Sequence, residues 1–349
     1  MVEEGVVRQA LRTVLHPKLG KSLIDIGMIS DISIQGEAVT VTLALKSYRS
    51  PLRSFLTSQI EKVVTALPGV ASVQVEIAIM SREESERLFP HAPLKGVEKV
   101  SRFLAVASGK GGVGKTTVAV NVALALARQG CKVGLLDADV YGPSVPMMLG
   151  ITEALDQVKG MIEPQEKYGL RIVSLGMTAG QNDAFIWRGP LVSKMLHNLL
   201  DQVQWGELDY LVIDLPPGTG DPSIAIAQAL PNCLILMVTT PQDVALADVR
   251  RSIGLFHKTG QKIIGLVENM SYFLTSPSAE PIEIFGHGGG EKLSRETGIP
   301  LLGRIPLDLE LRKGGDNGVP LMVSAPESSA AAVFQKIGKQ ILDINAAAL

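Results

Sequence analysis

Aromatic residues make up only 4% of this 349-residue chain, and cysteine occurs just twice, at Cys131 and Cys233. So few thiols, each beside an apolar strand-like run, exclude a disulfide-stapled scaffold and read as buried small hydrophobes rather than as a disulfide or a metal pair. Net charge is nearly absent as well. Thirty-three basic residues against 35 acidic leave −2, which removes the overall basic field expected of a protein whose main partner is nucleic acid. No apolar run reaches membrane-spanning length, and the opening stretch MVEEGVVRQA carries acidic residues without the apolar core of a secretory signal. The expectation is a cytoplasmic protein with no membrane and no nucleic-acid partner.

Glycine and aliphatic residues are plentiful. The chain holds 35 glycines and is 46% hydrophobic, enough to build one large and one small domain, each with its own core. The glycines concentrate in one telling place. Residues 109–117 read GKGGVGKTT, a phosphate loop with Gly109, Gly114, Lys115 and Thr116 at the required offsets. RFLAVA before it has strand length, and the Ala- and Leu-rich run from Val118 to Arg128 reads as a helix. Gly111, Gly112 and Gly114 let the backbone approach a polyphosphate, which Val113, Thr117 and their neighbours would hold through consecutive N–H groups and the positive end of the helix. Lys115 is expected to reach the outer phosphates of ATP, and Thr116 to sit on Mg²⁺.

Residues 1–80 follow a different pattern. Val6 to Leu15 is helix-like, Val39 to Leu45 and Val73 to Ile79 alternate as half-buried strands, and Ser50-Pro51 is expected to open a helix striped by Leu56, Ile60 and Val64. This is a small α+β domain. A polar stretch over 81–100, with Pro90 and Pro93, reads as a linker. From 101 to 349, strand-length apolar runs (RFLAVA, KVGLLDA, RIVSLG, YLVIDL, CLILMVTT, KIIGLVEN, PLLGRI) alternate with helical segments. That grammar predicts an α/β domain whose parallel sheet carries helices on both faces, with ligands at the carboxyl ends of the strands.

The carboxylates of interest fall at those ends. Asp137 and Asp139 close the strand of DADVYGPSVP; Asp139 is expected to orient the attacking water and Asp137 to join the magnesium shell, with turn capping an equal reading for Asp137. Asp214 precedes LPPGTGD and is the expected second carboxylate for the metal, with Gly218 and Gly220 free to move. Asp221 is either a switch residue or a helix cap. Asn269 ends KIIGLVEN and has the donor and acceptor needed to read an adenine edge, with Arg304 to Asp308 as the facing wall. Trp187 and Arg188 read equally as partner-facing or as a packed indole beside a solvated arginine. His287 reads as a loop residue.

Several of these motifs carry a resemblance. Lys110, directly after the first glycine, resembles the deviant phosphate loop of the MinD, ParA and ArsA class, in which this lysine reaches across a homodimer to the partner's nucleotide; by itself it reads equally as a solvated loop lysine. GKGGVGKTT, DADVYGPS, IDLPPGTGD, VENMSYF and FGHGGGEKL together resemble the Mrp/ApbC family of P-loop ATPases, and the leading domain resembles that of SufT. The resemblance implies slow Mg-dependent ATP hydrolysis with Lys110, Lys115 and Asp139 as the catalytic set, a homodimer, and an iron–sulfur cluster carried to apoproteins. The family holds its cluster with a Cys-x-x-Cys pair shortly after VENMSYF, where this chain has Thr275 and Ser278. Hydroxyls replace thiolates there. In the leading domain, His16-Pro17-Lys18 and Ser50 likewise stand where the SufT pattern has acidic residues and a cysteine. Two further readings follow: an ATP-dependent regulatory switch without a cluster, and a MinD- or ParA-like positioning ATPase, which the near-neutral charge and the lack of a basic amphipathic tail disfavour.

Overall fold

The computed structural model describes residues 2–17, 19–45, 48, 50, 52–88, 94–139, 142–158, 160–177, 189–276 and 280–346. The chain divides into two units, Met1–Ala92 and Pro93–Leu349.

The first unit contains α1 (Glu4–Leu11), β1 (Ile29–Gln35), β2 (Ala38–Leu45), α2 (Arg53–Thr65), β3 (Ser72–Ile79) and α3 (Arg82–Leu88). Its sheet has the order β1-β2-β3, with β1 antiparallel and β3 parallel to β2. Leu56, Ile60 and Val64 of α2, spaced by four, are fully buried with Val41 and Leu43 of β2, as an apolar helical stripe requires. Strand β1 is not evident from alternation because its register shifts between Ile29 and Asp31, leaving Ile29 and Ile32 as its buried pair. Ser50 is not the helix cap. Leu52 occupies that position, and the Ser50 hydroxyl instead accepts from the Leu52 N–H at 3.4 Å; Pro51 lies outside the described residues. The span expected to be a linker contains α3 and a helical turn, Lys95–Val97. That turn is packed so closely that a Cβ on Gly96 would strike the carbonyls of Leu200 and Val203.

The second unit holds β4 (Val100–Ser108), α4 (Lys115–Arg128), β5 (Val133–Asp137), α5 (Val145–Leu149), β6 (Gln157–Val158), β7 (Met161–Ile162), β8 (Gln165–Lys167), β9 (Leu170–Ser174) and α6 (Gly189–Gln202). It continues with β10 (Leu208–Asp214), α7 (Asp221–Ala229), β11 (Leu234–Thr239), α8 (Asp243–Lys258), β12 (Lys262–Glu268), α9 (Gly289–Thr297), β13 (Leu301–Arg304), α10 (Leu309–Asp316), α11 (Leu321–Ser324) and α12 (Ser329–Ala346). The main sheet runs β13-β12-β11-β4-β10-β5-β9-β8. All neighbours are parallel except β8, which pairs antiparallel with β9 at the edge. The sheet is therefore mixed; Gln165–Lys167 is too short and polar to announce itself as a strand.

Period-two alternation sends side chains of one strand to two cores. Leu104 and Val106 of β4 pack with α4, α11 and α12, whereas Ala105 and Ala107 pack with α6, α7 and α8. With both faces covered, the strands carry no polar alternation. Polar residues are left to the strand ends, and the sheet order gathers those ends around the phosphate loop.

Candidate functional site

The phosphate loop leaves the end of β4 and enters α4 at Lys115. Gly112 and Gly114 both have φ 79°, a left-handed conformation that a side chain disfavours. Their neighbours seal the loop from two sides: a Cβ on Gly109 would collide with the Asp248–Val249 backbone of α8, and one on Gly114 with the Asn269 amide. Gly111 has Pro217 as its nearest neighbour, Val113 is buried, and Lys110 is half-exposed with its carbonyl accepting from the Ser108 hydroxyl at 3.0 Å.

Register brings the carboxylates to this loop. Asp214, last in β10, pairs with Val106 of β4 on one side and Asp137 of β5 on the other. Lys115 Nζ lies 2.6 Å from Asp214 Oδ1 and 3.5 Å from Asp139 Oδ2, and the Thr116 hydroxyl donates to Asp214 Oδ2 at 2.6 Å. Thus four residues expected from sequence meet within one cluster. Asp137 is fully buried behind them. Its carboxylate accepts from the Ser174 hydroxyl at 2.9 Å, from Asp139 N at 3.1 Å and from Val145 N at 3.3 Å. Burial, and next the charge of Asp214, push the Asp137 carboxyl up to about 7, against the lowering effect of Ser174. Burial also raises Asp214, opposed first by Lys115.

The oxygen donors suit a hard cation. Magnesium at a nucleotide site needs one or two carboxylates beside the phosphates, and Thr116 with Asp214 supplies a hydroxyl and a carboxylate already in contact. Among the described residues no group of three or more His, Cys, Asp or Glu side chains is placed to hold a metal ion. The residues do not offer a thiolate set for an iron–sulfur cluster. Cys233 is buried, with its thiol pushed up to about 12 by burial, and Cys131 is half-buried and raised by burial and then by Asp209. Thr275 is exposed in a loop closed by paired Phe273 and Ile282; Ser278, Trp187, Arg188 and Lys18 lie outside the described residues.

A cavity of about 290 Å³ opens beside the loop, lined by Gly114, Thr117, Asn269, Met270 and Leu307, with Arg312 at the rim. Asn269 reaches it differently from the sequence expectation. Its amide N–H donates to Val113 O at 2.9 Å, so that donor serves the phosphate loop. The expected facing wall holds in part: Pro306 to Asp308 line the cavity, whereas Arg304 turns to Glu268. Asp308 also caps α10 through Leu311 N at 2.9 Å. Asp221 is the first residue of α7, with Gly220 in the cap position. His287 pairs with Glu283 on an exposed loop, and His16 is buried, with its ring nitrogen accepting from Leu19 N. Sequence reasoning missed Ser174 and Glu268. The available signal for Glu268 was an acidic residue closing an otherwise apolar strand.

A phosphate loop following a parallel strand, with a second-strand carboxylate on its lysine and threonine, defines a P-loop NTPase. The family described as NUBPL iron-transfer P-loop NTPase matches residues 99–342, and an iron–sulfur cluster assembly protein family matches residues 4–77. The chain belongs to this iron-transfer family of P-loop NTPases and is an ATPase. An iron–sulfur cluster carrier protein of Synechocystis sp. is 44% identical over 98% of this chain and 97% of its own length. Among solved structures, an Archaeoglobus fulgidus nucleotide-binding protein in complex with ADP is 37% identical with a TM-score of 0.57, covering 64% of this chain and 88% of that one. The septum site-determining protein MinD of Pyrococcus horikoshii, complexed with Mg-ADP, is 26% identical with a TM-score of 0.51, covering 70% and 97%. Among the described residues no helix is long and apolar enough to cross a membrane.

Proposed function

We propose that this chain uses ATP binding and slow Mg-dependent hydrolysis to drive iron–sulfur cluster assembly or delivery in the cytoplasm, as a homodimer serving apoproteins or other assembly proteins. The observation that carries the reading is the contact of Lys115 and Thr116 with Asp214 at the mouth of the phosphate loop. In it, Lys115 exchanges its carboxylate partner for the outer phosphates of ATP, and Gly109 to Thr117 cradle the phosphate chain. Thr116 and Asp214 would hold magnesium, with Asp137 behind Asp214. Bound magnesium supplies charge neutralisation on the phosphate oxygens. Asp139 orients the water that attacks the γ-phosphorus as the bond to ADP breaks, and Lys110 reaches the partner's nucleotide. Asn269 and Met270 form one wall of the base pocket.

The burial of Cys233 and the exposure of Thr275 favour a second reading, an ATP-dependent regulatory switch without a cluster. Anaerobic reconstitution followed by iron and sulfide analysis, with and without ATP, separates the two. A stoichiometric cluster supports carriage by the chain itself; ATP hydrolysis without one supports the switch.

A further inference from the structure

Glu268 closes β12 with its side chain buried, directly before Asn269 and Met270, which line the cavity beside the phosphate loop. Its Oε1 accepts from the Ser271 hydroxyl at 2.7 Å and faces Arg304 Nε at 3.3 Å; its Oε2 accepts from Gly290 N, in the first turn of α9, at 2.5 Å. The Ser271 hydroxyl is also 2.9 Å from Glu268 O. Between Glu268 and Ser271 the backbone is forced round. Met270 has φ 55°, one of two non-glycine residues with positive φ among the described residues, a conformation that an L-residue disfavours and that persists only where surrounding contacts over-determine it.

The corner is what the cavity uses. Asn269 before the kink donates to Val113 O in the phosphate loop, and Asn269 and Met270 both line the cavity. The backbone locks the same turn from either side, through Asn269 N to Thr239 O at 2.8 Å and Ser271 N to Ile305 O at 2.9 Å. A buried carboxylate with three donors is costly to maintain unless each bond is made. An apolar strand end would serve packing equally well, so the carboxylate answers a need of the corner rather than of the core.

We propose that Glu268 is a positioning residue for ATP, holding the strained Asn269–Met270 corner against the phosphate loop and the base pocket without touching nucleotide itself. This rests on the reading of that cavity as the ATP site. Glu268→Gln keeps the shape but turns an N–H₂ toward groups that are themselves donors, so the clasp opens and the corner relaxes.

The test uses the full-length chain, measuring ATP affinity by calorimetry and kcat at saturating Mg-ATP, at a temperature well below the melting point of the variant. Glu268→Gln is expected to weaken ATP binding about 10-fold, the size of one lost hydrogen bond to a charged group, with kcat within about two-fold of wild type because the group is remote from Asp139. Ser271→Ala, which removes one donor and no charge, is expected to move affinity in the same direction by less, and carries the test if Glu268→Gln does not fold. Unchanged affinity in a folded variant, even with a lower Tm, overturns the proposal, as does a fall in kcat alone. Failure of the wild-type chain to bind ATP would overturn the reading of the cavity itself, and is distinct from wild-type binding that the variants leave untouched.

Discussion

Lys115 Nζ and Asp214 Oδ1 stand 2.6 Å apart, both essentially removed from solvent. Among the described residues the lysine is the only cation in contact with this buried carboxylate, which also accepts from the Thr116 hydroxyl. Lys115→Ala removes the charge the phosphates need and strands Asp214 beside Asp137. ATP hydrolysis should fall by at least about 100-fold, the usual loss when a preorganised charge is taken from a transition state. Thermal denaturation without nucleotide should show a destabilisation of about 3 kcal/mol, the cost of breaking a buried ion pair from one side. Undiminished turnover would refute the role given to Lys115.

Asp139 is set apart by distance. Its Oδ2 is 3.5 Å from Lys115 Nζ, outside the tight Lys115–Asp214–Thr116 contact. Asp139→Ala is therefore expected to keep ATP affinity within a few-fold while turnover drops about 100-fold or more, as for loss of a group that positions a proton-bearing nucleophile. Binding titration and a phosphate-release assay on the same preparation check this; lost binding would reassign the residue.

Asp137 links pH to stability. Its folded-state value of about 7 lies above the ordinary 3.8, so the folded chain holds a proton there that the unfolded chain has released. Its contribution favours folding on the acid side and is lost as pH rises toward and through 7. Asp137→Asn removes that titration. The difference in Tm between variant and wild type, measured without nucleotide, should move in favour of the variant from pH 5 to pH 8. A difference that stays flat would show that Asp137 is ionised throughout.

The two thiols should behave unequally. Cys233 is buried and pushed up to about 12, whereas Cys131 is half-buried. Since the thiolate is the reactive form, alkylation of the native protein at pH 8 should label Cys131 slowly and Cys233 only after unfolding, read by peptide mass spectrometry. Rapid native labelling of Cys233 would show that its strand opens readily and would reinstate it as a ligand for metal.

Much of this site is local in sequence. GKGGVGKTT carries its own backbone geometry, because Gly112 and Gly114 take the left-handed turn, and the strand and helix around it appear as apolar runs. Asp137, Asp139 and Asp214 are visible because a charge at the end of an apolar strand has few other reasons to be there. The α/β class follows from the same runs, since strands buried on both faces lose polar alternation.

The rest depends on contacts distant in sequence. Strand order set β10 between β4 and β5, bringing Asp214 to Lys115 across 99 positions, and it placed β9 beside β5 so that Ser174 pins Asp137. The Asn269 amide turned to the phosphate loop because Val113 O lay within reach, a distance that no periodicity encodes. Sequence by itself determined the chemistry available at the strand ends, since those residue types and the loop glycines are local properties. Tertiary structure alone decided which of those groups meet, because register and crossover connections are set by packing two cores against one sheet.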